Sequence, residues 1–271
     1  AAAAIAKMRD DAANDVPLDV TVGGEIWTGT AITGAGEDAC GRTESDSWGS
    51  ADIGGAWTNA GGAATDYDVA SGVGTHTMTS VSVSRRSSIT AITADFDLYV
   101  SVASSALATG DSQTVGLMAR AIDLSNLYLA RVDFTTAQAV TLTIRKRTGA
   151  GTETVLATYA STLTHAADTF FRIRFQGVGA ALRAKVWAVG GLEPGVWQAT
   201  ATDNSLTYAG SVGTRSILGA SNTNVNPVMS YDDFQSDTPQ TFTVTRSVNG
   251  VTKSHAAGAD VRLTNPMIFP L

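Results

Sequence analysis

The alternation of apolar and polar side chains is the strongest signal in this chain, and it predicts β-strands. Between residues 94 and 102, Phe96, Leu98, Val100 and Val102 share one parity, with Asp97, Tyr99 and Ser101 between them. A period of two sustained over this length is typical of a strand with one buried face. The same alternation recurs at 115–121 and 140–145, which puts Arg120, Arg145 and Arg147 on the outward parity.

A hairpin is predicted from 171–175 and 182–188, with its turn at 176–179. No segment between residues 60 and 236 shows a sustained helical period, and many short strands are typical of a sandwich or a closed barrel. The shared inward parity predicts a core that contains Phe96, Leu98, Val100, Leu117, Leu142, Ile144, Phe171, Ile173, Phe175 and Val186.

The two ends of the chain have a similar pattern of short strands and turns. Residues 16–33 and 239–263 each show short strands around a tight turn, Gly23-Gly24 in the first and Asn249-Gly250 in the second. We predict that they pair in one sheet, with strands 18–22 and 26–32 beside 241–247 and 251–255. A polar stretch at 34–47 is interpreted as a linker into an inserted domain.

Composition narrows the classes of function. The 271 residues include 27 glycines, and the net charge is −7, which argues against nucleic-acid and anionic-membrane partners. Cys40 is the single cysteine, so no internal disulfide can form. No stretch approaches the roughly 20 apolar residues that span a bilayer. The Ala-rich residues 1–15 are interpreted as a lead-in helix or linker rather than a signal peptide.

The sequence lacks the motifs that are typical of common hydrolases and zinc enzymes. There is no GxSxG motif and no HExxH motif, and the three histidines lie in unrelated, turn-like segments. We interpret His76, His165 and His255 as exposed loop residues. Asp95 and Asp97 share one strand face, where pairing with neighbouring arginines is favoured over catalysis. The chain is not expected to be an enzyme.

The end segments resemble a known family. The runs DVTVGGE and TAIT, followed much later by QTFTVTRSVNGV, HAAG and VRL, are similar to the repeating β unit near the C-termini of minor tail proteins of phages that infect actinobacteria. The resemblance implies a structural virion protein of the phage tail that faces the exterior. Its implied partners are other tail proteins and further copies of this chain, a homo-oligomer.

The central region resembles a second family. The run FRIRFQGVGAALRAKVWAVGGLEPGVW, with the later YDDFQSD, is similar to the concanavalin A-like (laminin G-like) jelly roll over roughly residues 42–236. The fold class implied is all-β: a jelly-roll β-sandwich inserted into a small antiparallel β unit that the two chain ends form. The halves of that unit are 16–34 and 239–271. The family includes lectins, glycanases and inert adhesion modules, and this chain lacks the clustered ExDxxE of the glycanases.

Candidate binding residues lie on the outward parity of the 171–188 hairpin and the 94–102 strand. Trp187 and Tyr99 offer flat apolar surface, while Arg174 and Arg183 can donate to sugar hydroxyls or to anionic groups. The ligand expected is a host cell-wall glycan. The alternative is that these arginines only form ion pairs with aspartates across strands, which is the more usual role of such residues.

Two acidic residues near the end of the jelly-roll region, Asp232 and Asp233, are candidate ligands of a structural calcium ion, as in some related sandwiches. The alternative is that they only cap backbone donors of an edge strand. No other cofactor is expected.

Two functional hypotheses remain open at this point. The first is a tail protein whose jelly roll is exposed for host-surface or glycan contact. The second is a secreted actinobacterial module that binds or processes carbohydrate.

Overall fold

The computed structural model describes residues 18–22, 25–29, 34–91, 93–149, 153–237 and 261–263. These residues form strands joined by turns, with one short 3-10 turn at Ala64–Asp66. The strands are β1 Leu18–Val22, β2 Glu25–Gly29, β3 Gly34–Asp38, β4 Thr58–Ala60, β5 Tyr67–Ala70, β6 Val73–Thr77, β7 Arg85–Thr90, β8 Phe96–Ser104, β9 Gln113–Ala121, β10 Leu127–Phe134, β11 Ala139–Arg147, β12 Thr154–Thr164, β13 Phe171–Val178, β14 Ala181–Ala188, β15 Ala199–Thr202, β16 Ser211–Leu218, β17 Val228–Asp237 and β18 Val261–Leu263.

The described residues fall into two compact units, one within Ala1–Gly34 and Gln240–Leu271 and the other within Ala35–Pro239. In the first unit, β1 lies between β18 and β2 in an antiparallel sheet. Val22 lies opposite Glu25 on β2 and opposite Val261 on β18. Segments from the two ends of the chain therefore share one sheet. The predicted pairing with 241–247 and 251–255 lies outside the described residues.

The second unit is a sandwich of two antiparallel sheets. The seven-stranded sheet has the order β12-β11-β10-β9-β16-β7-β4. The eight-stranded sheet has the order β15-β14-β13-β8-β17-β6-β5, and β3 also pairs with β17. The chain crosses repeatedly from one sheet to the other, and the predicted all-β jelly-roll sandwich is confirmed.

The core between the sheets is the one that strand parity predicts. Every residue of the predicted core is at most 2% exposed. Phe96 and Phe175 pack edge to face across β8 and β13, with ring centroids 4.9 Å apart. Alternation of apolar and polar residues is therefore sufficient to place the long strands, because each of them buries one face against the opposite sheet.

The linker interpretation of 34–47 is wrong for residues 34–38, which form β3. The polar Asp38 is buried there because it has partners for both carboxylate oxygens. Its Oδ1 accepts from Arg42 at 2.7 Å, and its Oδ2 accepts from Arg42 at 2.8 Å and from the Trp57 indole at 2.6 Å. A buried, hydrogen-bonded carboxylate is compatible with a strand, although Asp38 looks like a linker residue in sequence.

Two other local predictions are corrected. The hairpin turn lies at Gly179 and Ala180 rather than at 176–179, since Val178 pairs with Ala181 and Gly179 has a φ of 54°. Arg120 is buried rather than outward. Its backbone is left-handed, with a φ of 48°, and the β9–β16 register shifts beside it. Its guanidinium donates to the carbonyls of Ala94, Leu206 and Gly179.

The interpretation of His76 and His165 as exposed is also wrong, because both are fully buried. His76 on β6 joins the two sheets: Nδ1 lies 2.9 Å from Ser216 Oγ and Nε2 lies 2.9 Å from Ser87 Oγ. His165 stacks on Phe134 with ring centroids 4.0 Å apart, and neither of its ring nitrogens is hydrogen-bonded to a described residue. His255 lies outside the described residues.

Burial lowers the pKa of both histidines. For His76 the pKa falls well below its ordinary value, because desolvation and the charge of Arg85 both disfavour the imidazolium. Both rings are therefore neutral in the folded protein at neutral pH.

Within the described residues, no helix is long and apolar enough to cross a membrane.

Truncation of core aromatic residues should destabilise the sandwich strongly. Phe171→Ala and Phe175→Ala should each lower the free energy of unfolding by about 3–5 kcal/mol, through lost burial and the cavity left behind. Denaturant unfolding of each single variant measures this. Thr158→Ala on an exposed position of β12 is the control, expected to change stability by less than about 0.5 kcal/mol. A loss near the control value for both phenylalanines would contradict the assigned core.

The buried histidines should make the fold sensitive to acid. Their folded pKa values lie below the unfolded value of about 6.5, so their contribution is complete above that pH and is lost as pH falls below it. Each histidine contributes a slope of up to about 1.4 kcal/mol per pH unit. His165→Leu should remove one such slope below pH ~6.5, as measured by urea unfolding between neutral and mildly acidic pH. An unchanged slope in this variant would show that His165 titrates normally in the fold.

Candidate functional site

The candidate site lies on the outer face of the eight-stranded sheet, where β8, β13 and β14 are neighbours. Arg174 on β13 lies opposite Tyr99 on β8 and opposite Lys185 on β14. Arg183 is two residues from Lys185 and shares its parity, since the intervening Ala184 is in the core. The strand register therefore brings three cations and an aromatic ring together.

The loop at 189–198 folds back over this face and is held there by charge. Glu193 Oε1 accepts from Arg174 at 2.7 Å and from Lys185 Nζ at 2.8 Å. Lys185 Nζ also donates to the carbonyl of Pro194 at 2.6 Å. Because Lys185 is almost completely buried under the loop, its ammonium depends on these acceptors.

Trp197 closes the loop onto the cations. Its ring centroid lies 4.6 Å from Lys185 Nζ and 4.6 Å from Arg183 Cζ, with Arg174 Cζ at 5.1 Å. These distances are typical of cation–π contacts, which are strongest for tryptophan. Glu193 and Trp197 thus fix the two arms of the loop against β13 and β14.

Each of the three guanidinium nitrogens of Arg174 donates a hydrogen bond to a carboxylate. Its Nε and a terminal nitrogen bind the two oxygens of Asp97 at 2.9 and 2.6 Å, and its Cζ lies 4.6 Å from the Tyr99 centroid. Burial alone would lower the pKa of Arg174, but the hydrogen bonds that it donates to the carboxylates of Asp97 and Glu193 raise the pKa above its ordinary value. Arg174 therefore serves to position Tyr99 and the loop.

Arg183 differs from Arg174 because only one of its guanidinium nitrogens donates a hydrogen bond to a described residue. Its Nε donates to Gln176 Oε1 at 2.7 Å, while its terminal nitrogens make no hydrogen bond to any residue that the structure describes. Arg183 is half-buried beside the Trp197 ring. A planar donor pair next to an aromatic ring can bind hydroxyl or anionic oxygens of a ligand that packs on the ring.

The loop also exposes apolar side chains. Leu192 is 95% exposed and Val196 is 74% exposed, one on each side of the Glu193-Pro194 turn. Nothing in the fold requires these two side chains to be apolar, since they contribute little to the core. They extend the apolar surface next to Trp197.

The structure brings together three of the four residues proposed from sequence: Tyr99, Arg174 and Arg183. Trp187 lies on the same face of β14 opposite Arg172, but it is only 9% exposed. The flat surface assigned to it is supplied by Trp197, which the sequence reasoning missed as a site residue. The signal was the run EPGVW, which places a tryptophan four residues after the glutamate that pairs with the cations. Ligand binding by these residues stays a prediction.

Both members of the acidic pair proposed for calcium contact other groups of the protein. Asp233 pairs with Arg172, and Asp232 Oδ1 accepts the backbone N–H of Asp233 at 2.7 Å. The part of the chain that the structure describes contains no group of three or more His, Cys, Asp or Glu side chains able to hold a metal. Calcium takes about six to eight oxygen ligands, which include backbone carbonyls and water as well as carboxylates, and calcium binding by Asp232 and Asp233 stays a prediction.

Comparison with known proteins gives likeness at the level of structure. No protein-family model matches the chain, and no curated protein matches it. The carbohydrate binding module CBM66 from Bacillus subtilis aligns at 14% identity and a TM-score of 0.45, over 67% of this chain and 95% of that chain.

Two further solved structures show a similar degree of likeness. The exoplasmic/lumenal domain of VIP36, in a Ca²⁺/Man3GlcNAc-bound form, aligns at 11% identity and a TM-score of 0.49, over 68% of this chain and 84% of that chain. The CBM2 module of the evolved Dit of Lactobacillus casei BL23 phage J-1 aligns at 11% identity and a TM-score of 0.45, over 63% and 77%. None of the three reaches a TM-score of 0.5, so the function has to be inferred from this chain's own residues.

Neutralising Glu193 should release the loop from the sheet. Glu193→Gln removes the negative charge shared by Arg174 and Lys185, and should lower the free energy of unfolding by about 1–3 kcal/mol. Amide hydrogen exchange within 190–197 should accelerate in the same variant. Asp233→Asn is the matched control, since it neutralises an exposed partner of Arg172 and should cost less than about 1 kcal/mol. Equal exchange of the loop in both variants would contradict a charge-held loop.

Proposed function

We propose that the sandwich is a non-catalytic module that binds a host-surface glycan, and that it does so as the exposed part of a phage tail protein. The observation that supports binding most directly is Arg183, whose free terminal donors lie against the Trp197 ring on a loop fixed by ion pairs. Proteins hold sugars by packing an aromatic ring on the apolar face of the sugar while planar donors bind its hydroxyls.

The rigidity of the site supports the same proposal. A loop that is ordered before the ligand arrives loses little conformational entropy on binding. Here the loop is anchored through Glu193 and Trp197, while Leu192 and Val196 stay in contact with solvent. Such an arrangement presents apolar surface and donors in a fixed geometry.

Local charge supports an oxygen-rich ligand. Among the described residues, this cluster combines the cations Arg174, Arg183 and Lys185 with the carboxylates Asp97 and Glu193, although the chain as a whole carries a net charge of −7. A local cationic patch attracts anionic groups of a ligand, while the net negative charge of the whole protein disfavours general adhesion to anionic surfaces. Sugars with carboxylate or phosphate substituents fit this patch best.

The tail context rests on the end segments and their resemblance to minor tail proteins. The alternative, a secreted carbohydrate-binding or glycan-processing module, uses the same face of the sandwich. Immunoelectron microscopy of virions distinguishes the two, because labelled tails support the tail protein and unlabelled tails support the secreted module. A turnover assay on the bound glycan separates binding from processing.

Binding itself is tested with cell-wall pull-down and a glycan array. Wild type should bind, and Trp197→Ala and Arg183→Ala should each weaken binding at least about tenfold, equivalent to about 1.4 kcal/mol. Tyr208→Ala is the matched control, since Tyr208 is an exposed aromatic residue outside the cluster. Equal binding by all four proteins, or no binding by wild type, would leave the sandwich without this function.

A further inference from the structure

The seven-stranded sheet carries a second charged surface, on its outer face and independent of the glycan site. Strand register builds it: Arg86 on β7 lies opposite Arg215 on β16, Arg215 lies opposite Gly116 on β9, and Gly116 lies opposite Arg131 on β10. Outward positions of β11 continue the surface. We call this surface the arginine cluster, and its members are Arg86, Arg131, Arg145, Arg147 and Arg215.

Too few carboxylates are present to neutralise the arginine cluster. Within the described residues, the cluster forms ion pairs with Asp133 and Glu153 alone. Five guanidinium groups therefore face two carboxylates, which leaves an excess of three positive charges on a protein whose net charge is −7. Crowded like charges repel one another unless an anion offsets them.

The guanidinium groups of two arginines of the cluster form no hydrogen bond and no ion pair with the residues that the structure describes. Arg86 is 8% exposed, and its buried Nε has no hydrogen-bond partner. The buried Nε of Arg147 is unpartnered as well. Burial lowers the pKa of Arg86, and the nearby charges of Arg215 and Arg147 lower it further. Buried, unpaired guanidinium donors are rare in proteins because such groups are normally bonded.

The centre of the cluster is already suited to an oxyanion. Gly116 places no side chain between Arg215 and Arg131, so the two guanidinium groups converge on one point. Glu153 occupies that point: its Oε1 lies 2.7 Å from Arg215 and its Oε2 lies 3.2 Å from Arg131. The chain's own carboxylate thus demonstrates which chemistry the cluster accepts, while the Nε donors of Arg86 and Arg147 have no hydrogen-bond partner among the described residues.

From this geometry we propose that the arginine cluster is an oxyanion-binding site, with Arg86 and Arg147 as its free donors and Arg215 between the ligand and Glu153. The ligand chemistry is a phosphate or carboxylate group, which guanidinium donors bind in pairs. Glu153 acts as a resident counter-ion that limits how tightly an external anion binds. The proposal stands independently of the glycan site on the other sheet.

Thermal unfolding in sodium phosphate, compared with sodium chloride at equal ionic strength, tests the site. A ligand that binds only the folded state raises Tm in a saturable manner. Phosphate should raise the Tm of wild type more than that of the double variant Arg86→Gln, Arg147→Gln, whose residual shift reports the general salting effect of phosphate. Arg172→Gln is the matched control, since Arg172 lies on the other sheet, and its shift should equal that of wild type.

Titration calorimetry with inorganic phosphate adds a readout that a purely structural cluster would not give. Glu153→Gln should bind phosphate at least about tenfold more tightly, because it removes the competing carboxylate. The double arginine variant should bind at least about tenfold more weakly. Parallel titrations with poly(glycerol phosphate) and with polygalacturonate decide whether the group comes from a free solute, a phosphate polymer or a carboxylate polymer.

Each outcome decides the proposal. Equal phosphate-dependent Tm shifts in wild type and in the double arginine variant would overturn it. An unchanged phosphate affinity in the Glu153→Gln variant would also overturn it, provided that circular dichroism shows this variant to be folded. Loss of glycan binding in Trp197→Ala with phosphate binding intact would show that the two surfaces work separately. Failure of the glycan site alone would leave the oxyanion site standing.

Discussion

Burial of one face of every long strand against the opposite sheet is the constraint on which the rest of the structure depends. The interface between the sheets is almost wholly apolar, and its few polar groups bridge the layers. His76 bonds to Ser87 and Ser216 of the other sheet, and Ser216 lies 2.5 Å from the hydroxyl of Tyr231. Because buried polar groups are stabilised by bonds that are made, this bridge also fixes which strands face each other.

The apolar core leaves most charged side chains on the two outer faces, apart from groups such as Arg120 that are buried with their own partners. The strand period of two then places charged side chains side by side on neighbouring strands, where register decides whether they repel or pair. On one sheet the result is a cation-rich surface covered by a loop that brings Glu193 and Trp197 to it. On the other sheet the positive charge is only partly neutralised, since Glu153 and Asp133 are the carboxylates that pair with members of a cluster of five arginines. Both candidate sites are thus consequences of the sandwich itself.

Sequence alone was sufficient for the strands and the core, because local alternation reports burial directly. It failed where the environment comes from distant parts of the chain. His76 looked exposed between threonines, yet its partner Ser216 is 140 positions away. Arg120 kept the outward parity in sequence, but its left-handed backbone turns it toward three carbonyls. No local pattern reports such distant partners or backbone turns.

The candidate site was predictable in part for the same reason. Tyr99, Arg174 and Arg183 follow from strand parity plus the hairpin, so the sequence placed them on one face. Trp197 required the fold-back of the 189–198 loop, which depends on ion pairs that form only in three dimensions. The arginine cluster required the order of strands in the sheet, because Arg86 and Arg215 are neighbours only once β7 and β16 are paired.

The pairing of β3 with β17 has a mechanical consequence. These are the first and last strands of the sandwich unit, and they are hydrogen-bonded neighbours in one sheet. Tension applied through the two ends of the unit acts on the bonds between these strands and on the bonds between β17 and β8, because Gln235 and Asp237 of β17 pair with Tyr99 and Asp97 of β8. A pull on the end of β17 would therefore reach the strand that carries Tyr99 of the candidate site directly.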